Sequence, residues 1–175
     1  MRTLTLFCLL LTATTFATAQ KTPLNFSEKQ TPIWELAKKR TMEVAEAMPE
    51  NLYDYRPTED VMSFREQMSH ITGALLSMDT RFIRKQEYAG YGKDLNGLSK
   101  ADLIKEMSKT FDQVIANLKK LDDTALTQTG KDFGGVTLTK WQSYLFMQDH
   151  ITNHRAKAVL YLRLNKITPP RYGYN

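Results

Sequence analysis

The run Thr139-Lys140-Trp141-Gln142-Ser143-Tyr144-Leu145-Phe146-Met147-Gln148-Asp149-His150-Ile151-Thr152-Asn153-His154 begins with helix-opening chemistry and carries two of the chain's three histidines. Thr139 and Gln142 form a capping box, in which each side chain satisfies a backbone N–H that the first helical turn leaves free. The pattern stays helix-compatible to about Lys166, and Pro169-Pro170 forbids continuation. At about 100° per residue, His150 and His154 share a face with Ser143, Met147, Ala158 and Tyr161, whereas Gln148, Thr152 and Arg163 point away. The histidine pair is therefore expected to look inward from a long last helix.

Three earlier stretches carry the same kind of signal. A first helix is predicted from about Pro32 to Met48, with Thr31 as its cap, Pro32 at the first helical position, and Ile33, Ala37, Val44 and Met48 on one face. Ser63 with Glu66 forms a second capping box and opens a helix whose stripe is Phe64, Met68, Ile71, Leu75, Met78 and Phe82. Gly90, Gly92 and Gly97 break the period between about Gln86 and Leu98, so this segment reads as a connection. Its length lets the next helix run parallel to the previous one, as crossover loops do in bundles. Ser99 with Asp102 opens a third helix, with Leu103, Met107, Phe111, Val114, Leu118 and Leu121 as its apolar set. A second long loop follows Asp122-Asp123, in which Phe133-Gly134-Gly135-Val136 suits a small hairpin acting as a lid or brace. The prediction is an all-α protein, a four-helix bundle.

With 175 residues and 42% hydrophobic content, the chain suits one domain with a real core. Met1-Arg2, the apolar run Leu4 to Leu11 and the small pair Ala17 and Ala19 read as a signal peptide over residues 1–19, cut before Gln20. The apolar run is well short of the roughly 20 residues that span a bilayer, so a membrane anchor is the weaker reading. The domain would then be residues 20–175, exported to the periplasm or the extracellular space, with no membrane attachment after cleavage. The only cysteine, Cys8, leaves with the leader. The bundle must then be stabilised by packing, a partner or a bound ion. Lys and Arg outnumber Asp and Glu by 24 to 19, a mild excess spread over separate segments. It reads as solvated helix faces, not as a nucleic-acid footprint.

Inward-facing imidazoles are costly to bury without partners, and a shared metal ion is one way to satisfy nitrogens that face each other. His70 offers a third ligand from the second helix, on the flank of its apolar stripe with Gln67, Ala74 and Ser77. Spacing alone leaves two readings open, a three-histidine metal site and separate structural histidines.

The segment Tyr55-Arg56-Pro57, the helix Ser63-Phe64-Arg65-Glu66-Gln67-Met68-Ser69-His70-Ile71, the closing run Gln148-Asp149-His150-Ile151-Thr152-Asn153-His154-Arg155 and the tail Pro169-Pro170-Arg171-Tyr172 together resemble the DinB/YfiT superfamily. The likeness covers nearly all of the chain after the leader, and His70, His150 and His154 fall at the family's three ligand positions. It implies an up-down-down-up four-helix bundle with a long crossover between helices two and three. It also implies a divalent metal, zinc or nickel ahead of iron or manganese, and frequent dimerisation. Characterised relatives include thiol-dependent S-transferases and a maleylpyruvate isomerase. Their thiols are cytosolic, so that chemistry does not carry over to an exported chain. The family name implies no DNA contact.

Three neutral imidazoles leave an open position on a cation, which makes hydrolysis or group transfer feasible at neutral pH. The expectation is a metal-dependent hydrolase or transferase of unknown substrate; the alternatives are a non-catalytic metal-binding bundle and a partner-binding bundle using Trp34, Trp141 and Tyr172-Gly173-Tyr174. No general base stands out: Asp149 projects away from His150, Glu66 is engaged in capping, and Glu35 is a candidate only by elimination. Tyr161 lies nearly in line with His150 and is either a pocket-lining donor or a core aromatic.

Overall fold

Helix-start chemistry and apolar periodicity place most of this chain in helices that share one core. The structure, a computed structural model, describes residues 25–134 and 136–173. Along the chain the elements are α1 (Phe26–Ala47), α2 (Phe64–Met78), α3 (Lys100–Lys119), the short α4 (Asp123–Thr127), β1 (Thr129–Phe133), β2 (Val136–Thr139) and α5 (Lys140–Leu164). Among the described residues the fold is all-α apart from one small hairpin. The leader read in residues 1–19 lies outside the described residues.

The expected caps form. Ser63 Oγ accepts from the Glu66 N–H at 3.2 Å, and the Glu66 carboxylate accepts from the Ser63 N–H at 2.6 Å. Thr139 and Gln142 make the same reciprocal pair at the start of α5, and Ser99 caps α3. Each cap satisfies donors that have no partner within the helix. The α2 stripe from Phe64 to Phe82 and the α3 set from Leu103 to Leu118 are buried in one cluster. Helix α2 runs on into a π turn, Asp79–Ile83. The fully buried Asp79 carboxylate there accepts from Asn117 Nδ2 at 2.9 and 3.1 Å and from Arg84 Nε at 3.0 Å.

Helix α1 departs from expectation at its start. It begins at Phe26, six residues before the proline expected to open it, and Pro32 lies inside. Proline removes one helical N–H, but tertiary contacts hold the turns before it. The Asn25 and Phe26 N–H groups donate to the Asp123 carboxylate at 3.0 and 3.3 Å, and Ser27 Oγ donates to the Leu121 carbonyl at 2.5 Å. The expected face holds at Val44 and Met48, which are buried, and at Ala37, which packs on the core, but it fails at Ile33. Trp34 is fully buried, its ring edge-on to Tyr144 with centroids 5.6 Å apart, while Ile33 is 42% exposed. An indole removes more apolar area from water than an isoleucine side chain, so the larger residue takes the core position.

Helices α1 and α2 each pack against both α3 and α5. The start of α1 meets the end of α3, and Lys100 at the start of α3 reaches the Glu46 and Met48 carbonyls at the end of α1. Arg65 near the start of α2 donates to the Leu98 carbonyl just before α3 at 2.6 Å. The far end of α2 meets α3 through Asp79 and Asn117.

The segment between the π turn and α3 lies against the bundle as a wall. Tyr91 Oη is 3.0 Å from Thr110 Oγ1, Lys93 pairs with Glu106 at 2.7 Å, and Leu95 is buried. Gly90 and Gly92 take φ values of 95° and 84°, a region open to glycine at little cost, and so turn the chain between these anchors. The expected hairpin is present: β1 and β2 pair antiparallel with Phe133 opposite Val136, and Gly134 at φ 57° forms the turn. The Lys140 N–H donates to the Gln128 carbonyl at 3.0 Å, tying the hairpin to the start of α5.

Candidate metal centre

The four-residue spacing of His150 and His154 stacks their rings on neighbouring turns of α5, with centroids 4.6 Å apart. His70 comes from α2, which packs directly on α5. Its ring centroid is 4.4 Å from that of His154 and 5.0 Å from that of His150. Each ring offers one nitrogen, and the three nitrogens lie within 4.8 Å of one another. The flank position of His70 on α2 thus looks into the α2–α5 seam, as a bundle helix with two neighbours allows.

Hydrogen bonds distinguish the rings. His154 Nδ1 is 2.6 Å from Gln67 Oε1. An amide oxygen only accepts, so Nδ1 carries the proton and Nε2 keeps its lone pair for the cluster. Gln67 lies three residues before His70 and is itself buried. The sequence signal for this role is slight, a polar side chain on the flank of α2 one turn from a candidate ligand. His150 Nε2 is buried with no hydrogen-bond partner. A buried ring nitrogen without a partner is costly, and a cation shared with two other imidazoles would satisfy it.

Electrostatics act in the same direction. Burial is the largest influence lowering the pKa of each ring. His154 is lowered to about 4 by burial, then by His70, His150 and Lys157. The rings are thereby kept neutral, the form that ligates a metal. Three neutral imidazoles, one tautomer held by an amide and one orphaned nitrogen together fit a divalent cation in their donor chemistry.

The cluster opens into a cleft of about 880 Å³, lined by His70 and His150, by Met78 and Phe146, and by Tyr88 and Leu95 of the wall segment. Arg56, Glu59, Asp60, Glu66, Lys93 and Asp94 add charged groups of both signs. Glu66 remains in its capping box and pairs with Arg56 at 3.2 Å. Glu35 pairs with Lys119 at 3.1 Å and does not line the cleft. Asp149 is exposed and does not line it either. Tyr161 is a core aromatic: its hydroxyl donates to the Met62 carbonyl at 3.0 Å and its ring meets Tyr55 edge-on. Of the aromatics considered for an interface, Trp34 is buried, Trp141 packs on Phe26, and Tyr172 is exposed beneath the Arg40 guanidinium. Tyr174 lies outside the described residues.

Comparison with known proteins gives the same picture of the fold. A DinB-like protein of Bacillus cereus, solved by crystallography, superposes with a TM-score of 0.67 at 17% identity, covering 83% of this chain and 97% of its own. A DinB-like protein of Bacillus subtilis superposes with a TM-score of 0.64 at 22% identity, covering 84% and 99%. No curated protein matches. The DinB superfamily profile matches residues 33–158, a span that takes in all three histidines, and the chain therefore belongs to the DinB superfamily.

Proposed function

We propose that the chain is exported, loses residues 1–19, and holds one divalent metal ion between His70, His150 and His154 as a hydrolase or transferase acting on a small molecule. The observation that carries this reading is the orphaned His150 Nε2 beside two further imidazoles, one of them oriented by Gln67. A divalent ion held there supplies a Lewis acid that polarises an oxygen of water or substrate. The protein's own groups do the rest. Gln67 holds His154 in one tautomer, burial keeps the rings unprotonated, and Met78, Leu95 and Phe146 give the cleft an apolar side. The charged rim positions a polar substrate, and a cleft of about 880 Å³ is ample for one of metabolite size.

The same reading includes an up-down-down-up arrangement of α1, α2, α3 and α5. It is supported by the contacts at the helix ends: α1 start to α3 end, α2 start to α3 start, and Tyr161 near the end of α5 to Met62 just before α2. Elemental analysis with a metal-edge absorption spectrum of the purified protein tests the metal. The expected result is about one equivalent of one divalent ion, with three nitrogen ligands, lost in His150→Ala. Less than about half an equivalent of any divalent ion, unchanged by that substitution, would overturn the proposal. Mass spectrometry of the exported protein tests the leader, with Gln20 as the expected first residue.

A further inference from the structure

A second cavity, of about 520 Å³, lies away from the histidines, between α1, α5 and the tail that follows α5. Its cations are Arg40, Arg155, Arg163 and Arg171, and the one acid lining it, Glu43, is 3.9 Å from Lys39. Arg155 is the decisive residue. Its side chain sits on a residue only 6% exposed, yet its partners are neutral. Its guanidinium donates to the Ala37 carbonyl at 3.4 Å and to the Thr41 and Thr152 hydroxyls at 3.3 Å, and the Tyr172 phenol also hydrogen-bonds it. Burying a guanidinium without a counter-anion is costly, and these long neutral bonds offset little of that cost. Arg40 lines the same cavity; its guanidinium donates to the Gly173 carbonyl and sits 4.3 Å from the Tyr172 ring centroid. Two adjacent cations on the wall of an open cavity make a ready receptor for an oxyanion, which a guanidinium can bind in bidentate fashion. The remaining lining is mostly apolar, with Val44, Ala156, Val159, Pro169 and Pro170 beside Thr168. A concave, mostly apolar site with a few convergent polar groups is the usual form of a small-molecule pocket.

We propose that this cavity binds a small amphipathic anion, an organic carboxylate or phosphate monoester whose head pairs with Arg155 and Arg40 and whose apolar body lies along Val44, Val159 and the two prolines. It is independent of the metal site, because Arg155 follows His154 directly on α5 and therefore projects about 100° away from it.

Calorimetric titration of the purified protein with octyl phosphate and with octanoate tests the proposal, with inorganic phosphate and octanol as the head-only and body-only probes. At least one amphiphile is expected to bind with a dissociation constant below about 1 mM, at least about tenfold more tightly than either partial probe, and equally well after EDTA treatment. Two variants at exposed positions should keep the fold, as their melting curves will report. Ala156→Trp fills the cavity, and Arg163→Gln with Arg171→Gln thins its cations. Each is expected to weaken binding by about tenfold or more. Failure of both amphiphiles to bind at about 1 mM would overturn the proposal. So would octanol binding as tightly as the anions, inorganic phosphate binding as tightly as octyl phosphate, loss of binding on EDTA treatment, or undiminished binding in both variants.

Discussion

His154 Nδ1 donates to the amide oxygen of Gln67 at 2.6 Å, across the seam where α5 meets α2. The bond links the two helices that supply the candidate ligands and fixes which nitrogen of His154 is left to face His70 and His150. Gln67→Leu removes it while keeping the side-chain volume similar. Metal affinity is expected to fall by about 10- to 100-fold, the usual effect of losing a partner behind a ligating histidine. Competition against a chromophoric chelator measures this, and an unchanged affinity would show that the bond does not orient a ligand.

His150→Leu separates the contribution of the ion from that of the ring. Without metal, the substitution removes an orphaned buried nitrogen, so the EDTA-treated variant should be at least as stable as the EDTA-treated parent. With metal at about 1,000 times its dissociation constant, the parent should gain about 4 kcal/mol and the variant little of it. Urea denaturation of all four samples provides the comparison, and an equal gain in both proteins would place the ion elsewhere.

The histidine cluster also predicts a pH dependence for the metal-free protein. His154 is held at about 4 in the fold against 6.5 in the unfolded chain, and the other two rings are lowered as well. The unfolded chain therefore binds protons first as pH falls. The stability of the neutral rings is complete above about pH 6.5, declines as pH falls towards 4, and levels off below it. The urea midpoint of EDTA-treated protein should drop across that window, and less so in His154→Ala. In the metal-loaded protein, protons compete with the ion only as pH nears the lowered pKa of the rings, so release is expected towards about pH 4. Retention at about pH 3 would contradict histidine ligation.

Asp79 offers a test of the fold away from the candidate site. Burial pushes its carboxyl above the usual range, while Asn117 and Arg84 oppose that shift. Asn117→Ala removes two of the hydrogen bonds its carboxylate accepts and is expected to cost about 1–3 kcal/mol at neutral pH. The cost should shrink in acid as Asp79 takes up a proton, which denaturation at several pH values would reveal.

Much of this arrangement was legible in the chain. The Ser63–Glu66 and Thr139–Gln142 boxes each involve residues three apart, and they opened helices where expected. The stripe from Phe64 to Phe82 was readable for the same reason, since one helical period decides which side chains share a face. The start of α1 was not readable. Its first turns are held by Asp123 and Leu121, almost a hundred residues away, and the local signal at Pro32 pointed to a later start. The exchange of Ile33 for Trp34 at the core likewise depended on Tyr144, which belongs to another helix.

The sequence by itself determined the helical content, the starts of α2, α3 and α5 and the shared face of His150 and His154, because capping and periodicity act within a few residues. Only the tertiary structure decided that His70 meets that pair, that Gln67 stands behind His154, and that the segment around Tyr88 and Leu95 walls the cleft. Those contacts depend on how far each helix rotates about its axis and how it packs on its neighbours. That is set by the filling of the whole core, a property no local stretch encodes.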